Sequence, residues 1–233
     1  MKRQRVMLSW SSGKDSAWSL HTIQQSDDYE VVGIFTTVNA EFQRVAMHGV
    51  RLELLRQQAQ AMALPLTVIE IPYPCSNIQY EQALSVFITQ AQEDGIEGLV
   101  FGDLFLEDIR QYRVTQLAGT GLSPIFPLWQ IPTDELAMTM VEAGLKAVIT
   151  CVDPKQCPKE FAGREFNAEL LADLPPSVDP CGERGEFHTF VFAAPFYNKA
   201  IDITVGEVVE REGFVFADVL PGFLGKSDTV LAG

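Results

Sequence analysis

Short β-branched and apolar runs alternate with helix-spaced apolar stripes through the first two-thirds of the chain, and then the rhythm breaks. The runs Arg5–Trp10, Val31–Thr37, Leu66–Ile71, Gly98–Gly102, Pro124–Leu128 and Ala147–Val152 have the length and composition of buried strands. Between them, Asp15–Ile23 reads as a helix. Apolar stripes with helical spacing run through Leu52, Leu55, Ala59 and Met62, through Tyr80, Leu84, Phe87, Ile88 and Ala91, and through Leu136, Met140 and Val141. Parallel strands need a long crossover, so this alternation predicts an α/β fold: a parallel sheet with helices on both faces. After about residue 150, Pro154, Pro158, Pro175, Pro176 and Pro180 break the pattern. A short helix at Asn167–Leu171, strands at Phe187–Phe192, Ala200–Val205 and Phe214–Val219, and a hairpin turn at Glu210–Gly213 predict a smaller α+β lobe. The expected division is therefore 1–150 and 151–233, with a poorly ordered tail from Gly222 onward.

The segment Ser11-Ser12-Gly13-Lys14-Asp15-Ser16 sits between the first strand and the first helix. A tight turn at a helix start leaves backbone N–H groups without intrahelical partners, and the helix dipole adds partial positive charge. Serine hydroxyls, the freedom of Gly13 and the charge of Lys14 make this a place for phosphate. It is not a Walker A loop: Leu8 and Asp15 stand where that motif needs Gly and Ser or Thr. Spacing alone leaves an ordinary helix-capping turn open. In parallel sheets ligands collect at the carboxyl ends of the strands, so this turn and Gly102-Asp103, after the fourth strand, are expected at one edge.

A formal net charge of −14 opposes non-specific binding to nucleic acid. A local basic pocket drawn from Lys14, Arg51, Arg56, Arg110 and Arg113 stays compatible with it. No apolar run reaches the roughly 18 residues of a membrane span, and the apolar stretch after the basic start Met1–Arg5 is too short for an export signal. The four cysteines form no C-x-x-C pair, so reduced thiols in the cytoplasm are expected, with a Cys151–Cys157 disulfide or a zinc site as the minor alternatives. Phe126 and Trp129 read as core. His48 is a candidate for contacting nucleotide or for capping the second helix.

A second unusual segment, Asp179–Phe190, places Glu183, Glu186 and His188 beside glycines ahead of a strand. Two carboxylates and an imidazole on a glycine-bearing loop can bind a cation or an amine, or move protons. Composition alone also reads as a solvated turn, with Glu183 and Glu186 exposed and His188 satisfied in a hydrogen bond.

Ser11–Ser16 resembles the S-G-G-x-D-S loop of the PP-loop ATP pyrophosphatases, the adenine nucleotide alpha hydrolase-like group. Paired with the later G-E-x-G-E-F-H-T segment, Gly182–Thr189, it resembles the diphthine–ammonia ligase family. Gly102-Asp103, Pro127-Leu128-Trp129 and Gly163-Arg164 follow the family's G-D, P-L-W and L-G-R elements in order, and the likeness runs from Val6 to about Tyr197. Ser12 and Arg184 stand where glycine is usual.

The resemblance implies a Rossmann-like, HUP-type fold and an ATP-dependent ligase that cleaves ATP to AMP and pyrophosphate and joins ammonia to an adenylated carboxylate. It places MgATP on Ser11, Ser12, Gly13, Lys14, Asp15, Ser16, Gly102 and Asp103, with Asp15 toward Mg²⁺. It points Gly182, Glu183, Gly185, Glu186, His188 and Thr189 at the acceptor, and gives catalysis to Lys14, Asp15, Glu183, Glu186 and His188. Expected partners are ATP, ammonium and an acceptor carboxylate on a small molecule or a protein, diphthine where the host makes it. A homodimer is left open. Two rivals remain at this point: an ATP- or AMP-binding sensing module, and a tRNA-modifying PP-loop enzyme, which the acidic charge disfavours.

Overall fold

Alternation in the first strand sends Val6 and Leu8 to one face of a sheet and Met7 to the other, and both faces are covered. The computed structural model describes residues 2–45 and 49–222. His48 and the tail beyond Gly222 lie outside the described residues. In chain order the first lobe runs β1 (Gln4–Ser9), α1 (Lys14–Gln24), β2 (Tyr29–Asn39), β3 (Arg44–Val45), α2 (Leu52–Met62) and β4 (Leu66–Ile71). It continues through α3 (Asn77–Glu93), β5 (Gly98–Val100), α4 (Glu107–Leu117), β6 (Ser123–Ile125) and α5 (Thr133–Glu142).

Five of these strands are parallel, in the spatial order β4–β2–β1–β5–β6, and β3 adds a short antiparallel pair at the end of β2. The chain winds outward from β1 through β2 to β4, then returns to β5 beside β1. The reversal falls between β1 and β5, the position where open α/β sheets bind ligands. Helices α1 and α2 bury Leu20, Ile23, Leu54 and Leu55 with Val6, Leu8 and Ile34. On the other face α3 buries Leu84, Phe87, Ile88 and Ala91 with Phe35, Leu99 and Phe101. Each large apolar side chain so removed from water contributes about 1.5–3 kcal/mol before entropy. A Ser76–Gln79 capping box fixes the start of α3.

The second lobe holds β7 (Lys146–Val152), a single 3₁₀ turn at Lys159–Phe161, β8 (Glu165–Phe166), α6 (Ala168–Asp173), β9 (Phe187–Ala193), β10 (Ile203–Arg211) and β11 (Phe214–Pro221). Here β7 is the centre of an antiparallel sheet, flanked by β9 on one edge and by β8 and β11 on the other. The sequence expectation that Ala147–Val152 closes the parallel sheet is corrected: the run is buried on both faces, and a doubly covered strand reads alike in either kind of sheet. The last hairpin also differs from expectation. Its strands reach Arg211 and Phe214, and only Glu212 and Gly213 turn the chain, both at positive φ (54° and 83°).

The two lobes share one core, in which Trp10, Trp18 and Leu54 meet Ile149, Phe190 and Val191. All four cysteines are free. No helix among the described residues is long and apolar enough to cross a membrane.

Candidate functional site

Ser11–Ser16 folds as a turn knitted by its own hydroxyls. Ser16 Oγ donates to the Gly13 carbonyl (2.9 Å), Gly13 N–H donates to Ser11 Oγ (3.3 Å), and the two serine hydroxyls pair at 3.1 Å. Helix α1 starts at Lys14, so its first amides point out of the turn. Ser12 adopts φ +74°, the left-handed region, at the position where the family pattern has glycine. Its carbonyl faces the second lobe and accepts from Val191 N–H (3.0 Å) and from the Gln58 amide (3.0 Å). Its own hydroxyl is buried without a hydrogen-bond partner. A Cβ at Gly13 would lie 3.2 Å from the Thr189 carbonyl oxygen, so glycine here lets β9 close on the turn.

Lys14, whose charge was expected to serve phosphate, is buried and held. Its ammonium donates to both Asp15 carboxylate oxygens (2.9 Å each) and to the Cys181 carbonyl, between the rings of Phe166 and Phe187. Burial works against its charge, but the Asp15 carboxylate and the other negative groups nearby outweigh it and lift its pKa above the ordinary lysine value. Its backbone N–H donates to Thr189 Oγ1 (3.1 Å). The phosphate-type turn is therefore clamped to the second lobe from both its side chain and its backbone.

In the loop from Asp179 to Glu186, two of the three carboxylates are spent on the loop itself. Asp179 accepts from Cys181 N–H (2.9 Å) and Glu183 N–H (3.3 Å), and from the Thr133 hydroxyl (2.7 Å). Glu186, expected to work on the acceptor or on ammonium, instead accepts from Asp179 N–H (3.0 Å) and Arg184 N–H (2.9 Å), with its side chain buried. Glu186 thus bonds within its own loop and is not among the residues that line the cavity. Glu183 reaches across to the first lobe, where it accepts from Leu104 N–H (2.8 Å). Gly182 sits at φ +68°, with the Phe187 carbonyl oxygen 2.8 Å from where a Cβ would be. Arg184, at the second departure from the family pattern, lays its guanidinium over Phe105 (5.2 Å to the ring centre).

A cavity of about 250 Å³ opens between turn and loop, lined by Ser11, Gly13, Asp15 and Ser16 on one side and Glu183, Gly185, His188 and Thr189 on the other. Gly102, Asp103 and Arg113 form its floor at the end of β5. A Cβ on Gly102 would stand 3.0 Å from Ser16 N, so this glycine lets the strand end meet the helix start. A larger cavity, about 380 Å³, lies near Arg5, Pro65 and Asp94, away from all of these groups.

Charge distinguishes the residues lining the site. Burial pushes the Glu183 carboxyl up to about 7, with Asp15 and Asp103 adding to the rise against its backbone hydrogen bonds. Burial also raises Asp103, opposed by Arg113. His188 is pushed down to about 4, by burial first and the Lys14 charge second, so its imidazole is neutral at physiological pH.

Among the described residues no group of three or more His, Cys, Asp and Glu side chains is placed to hold a metal alone. Asp103 Oδ2 is nevertheless buried without a hydrogen-bond partner beside the cavity that Asp15 also lines, its nearest cation Arg113 at 4.0 Å. Two carboxylates lining one cavity are a donor set that suits Mg²⁺, which takes one or two protein ligands and completes its shell from other oxygens and water.

Gln58 and Asp179 were missed as organisers of the site. Gln58 bonds Trp10 Nε1 (2.8 Å), the Ser12 carbonyl and the Val191 carbonyl (2.7 Å). The signal was available: Gln58 falls on the apolar stripe of Leu54, Leu55 and Met62, where a polar side chain needs partners. Phe126 and Trp129, read as core, are only partly buried and carry the Arg110 guanidinium on their faces.

A small-residue turn at the switch point of a parallel sheet, facing an acid-bearing loop, defines a Rossmann-like α/β protein. The Diphthamide synthase N-terminal domain profile matches residues 4–119, and the Diphthamide synthase C-terminal domain profile matches residues 132–219. Diphthine–ammonia ligase from Bos taurus is 26% identical, over 92% of this chain and 88% of its own length. The Mus musculus ligase is 28% identical over the same shares, and that of Danio rerio is 30% identical over 71% of this chain and 70% of its own. The chain belongs to the diphthine–ammonia ligase (diphthamide synthase) family.

Proposed function

We propose that this protein is an ATP-dependent ligase that adenylates a carboxylate, releases pyrophosphate and forms an amide with ammonia, on a diphthine-type acceptor as its relatives' names state. The observation that supports it is Glu183, a second-lobe carboxyl anchored on the Leu104 amide and facing the Ser11–Ser16 turn across one cavity. A module that only senses nucleotide has no use for a carboxyl of pKa about 7 there.

The parallel-sheet lobe holds the triphosphate and the antiparallel-sheet lobe presents the acceptor. Turn amides at the start of α1 bind the β and γ phosphates. Asp15 and Asp103 would hold Mg²⁺, which supplies neutralising charge on the phosphates when bound. An acceptor carboxylate oxygen bonds to the α phosphorus, and the bond to the bridging oxygen breaks, with its electron pair leaving on pyrophosphate. Preorganised N–H donors favour that charge. Ammonium is attracted to the acidic floor, and Glu183 takes a proton from it. Ammonia then bonds to the acyl carbon, the carbon–oxygen bond to AMP breaks, and the amide sheds its last extra proton to water.

Glu183 is a better base than His188, because a group of pKa about 7 is both half ionised and basic at neutral pH, whereas one near 4 binds a proton too weakly. Glu186 and Asp179 act by positioning Glu183. The working compartment is the cytoplasm, where the four free thiols persist.

The test is product analysis with MgATP, ammonium and a diphthine-bearing elongation factor. AMP, pyrophosphate and amide in equal amounts are expected. Tight ATP binding with no turnover in the presence of that acceptor sinks the reading and favours a sensing module.

A further inference from the structure

A triphosphate entering this cavity meets three carboxylates, Asp15, Asp103 and Glu183. The cation that sequence assigns to it, Lys14, is already bonded to Asp15 and to the Cys181 carbonyl. Arg110 stacks on Phe126 and Trp129 and does not line the cavity, and His188 is neutral. That leaves Arg113, which does line it. Its guanidinium lies over Phe101 (5.0 Å to the ring centre) and near Tyr112 (5.8 Å), aromatic contacts that hold the head group at the cavity. Its Nε is buried without a hydrogen-bond partner, and so is Asp103 Oδ2. The two atoms lie 4.0 Å apart, close enough for attraction and too far for a hydrogen bond. A buried donor and a buried acceptor are each left unsatisfied beside the same phosphate site, and such atoms call for a ligand.

We propose that Arg113 binds the β and γ phosphates of ATP and holds the pyrophosphate leaving group. The assignment rests on the ligase reading above, but it concerns a residue which that reading does not use. As the α–β bond breaks, the bridging oxygen gains negative charge, and a planar two-pronged donor suits it better than an ammonium does. Sequence offered Arg113 only as one of five candidate cations; it lies on α4, where only Leu117 is fully buried, and no motif singles it out.

The experiment is calorimetric titration of the full chain with inorganic pyrophosphate and, separately, with AMP, both with Mg²⁺. Arg113→Gln is expected to weaken pyrophosphate about 10- to 100-fold, the range of a lost charge-assisted contact, and to leave AMP within about twofold. Arg113→Lys is expected to recover part of the loss, and Arg110→Gln to change neither. Unaltered AMP affinity also reports that the variants are folded. Equal weakening of AMP and pyrophosphate, or unchanged pyrophosphate affinity, overturns the proposal. So does failure of the unaltered protein to bind pyrophosphate. If the unaltered protein forms no amide yet binds pyrophosphate through Arg113, the reaction fails and this assignment stands.

Discussion

The turn Ser11–Ser16 and the loop Asp179–Thr189 face each other across one cavity but are built on opposite plans. The turn offers backbone donors, its hydroxyls spent on holding its shape and its one lysine withdrawn to grip the other lobe. The loop offers side chains, and spends two of its three carboxylates on its own amides so that the third, Glu183, can reach the site. Residue type alone does not separate these jobs: Glu183 and Glu186 stand three apart in one motif, one facing the cavity and one buried behind it.

The sharpest test of that contrast is Glu183→Gln against Glu186→Gln. In the first variant the carbonyl of the new side-chain amide can still accept from Leu104 N–H, so the fold is kept while the proton acceptor is lost. Amide formation is expected to fall about 10²- to 10⁴-fold, with ATP affinity within about threefold, measured by single-turnover kinetics and titration. At Glu186 the effect should move to stability. A glutamine there must turn an N–H toward the amide of Asp179 or Arg184, costing about 2 kcal/mol, or roughly 4–8 °C of melting temperature in a chain this long. A loss of activity in folded Glu186→Gln as large as that in Glu183→Gln would erase the distinction.

The same pair predicts a pH response. With its carboxyl lifted to about 7, Glu183 is protonated below that value, so the rate should climb as pH rises through about 7, and Glu183→Gln should lose that limb. For stability the sign is reversed. The folded protein favours the protonated form, so this contribution is complete below the ordinary glutamate range and is lost as pH rises through about 7. Unfolding at pH 5.5 and pH 8 should therefore differ more for the unaltered chain than for Glu183→Gln. His188 acts in the opposite sense: neutral in the fold down to about 4, it costs stability as pH falls below its ordinary value. A rate limb near 4 in place of 7 would hand the base's role to His188.

Much of this was legible because backbone geometry leaves a strong trace in sequence. A strand, small-residue turn and helix start could be read at Val6–Ile23, and the edge they share with Gly102-Asp103 followed from topology. What failed was partner identity. The apolar run Ala147–Val152 cannot say which neighbours pair with it, and it fell to the wrong sheet. Helix α4 went unseen because its inward-facing residues include arginines lying on aromatic rings, so no apolar stripe marks it. Roles of like residues were hidden too, since whether a glutamate faces an amide or a cavity is settled by contacts distant in the chain.

The smallest expected effect probes the turn itself. Ser12 holds φ +74° and buries a hydroxyl without a partner, two costs that glycine would remove. Glycine also makes the unfolded chain more flexible, which offsets part of the gain. Net stabilisation of about 1 kcal/mol is expected for Ser12→Gly, read as a higher urea midpoint at unchanged slope. Nucleotide affinity should stay within about twofold, because the Ser12 carbonyl, bonded to Val191 and Gln58, sets the turn and is kept. A loss of affinity without a loss of stability would mean that the hydroxyl itself contacts nucleotide. The turn would then, like the loop, work through a side chain.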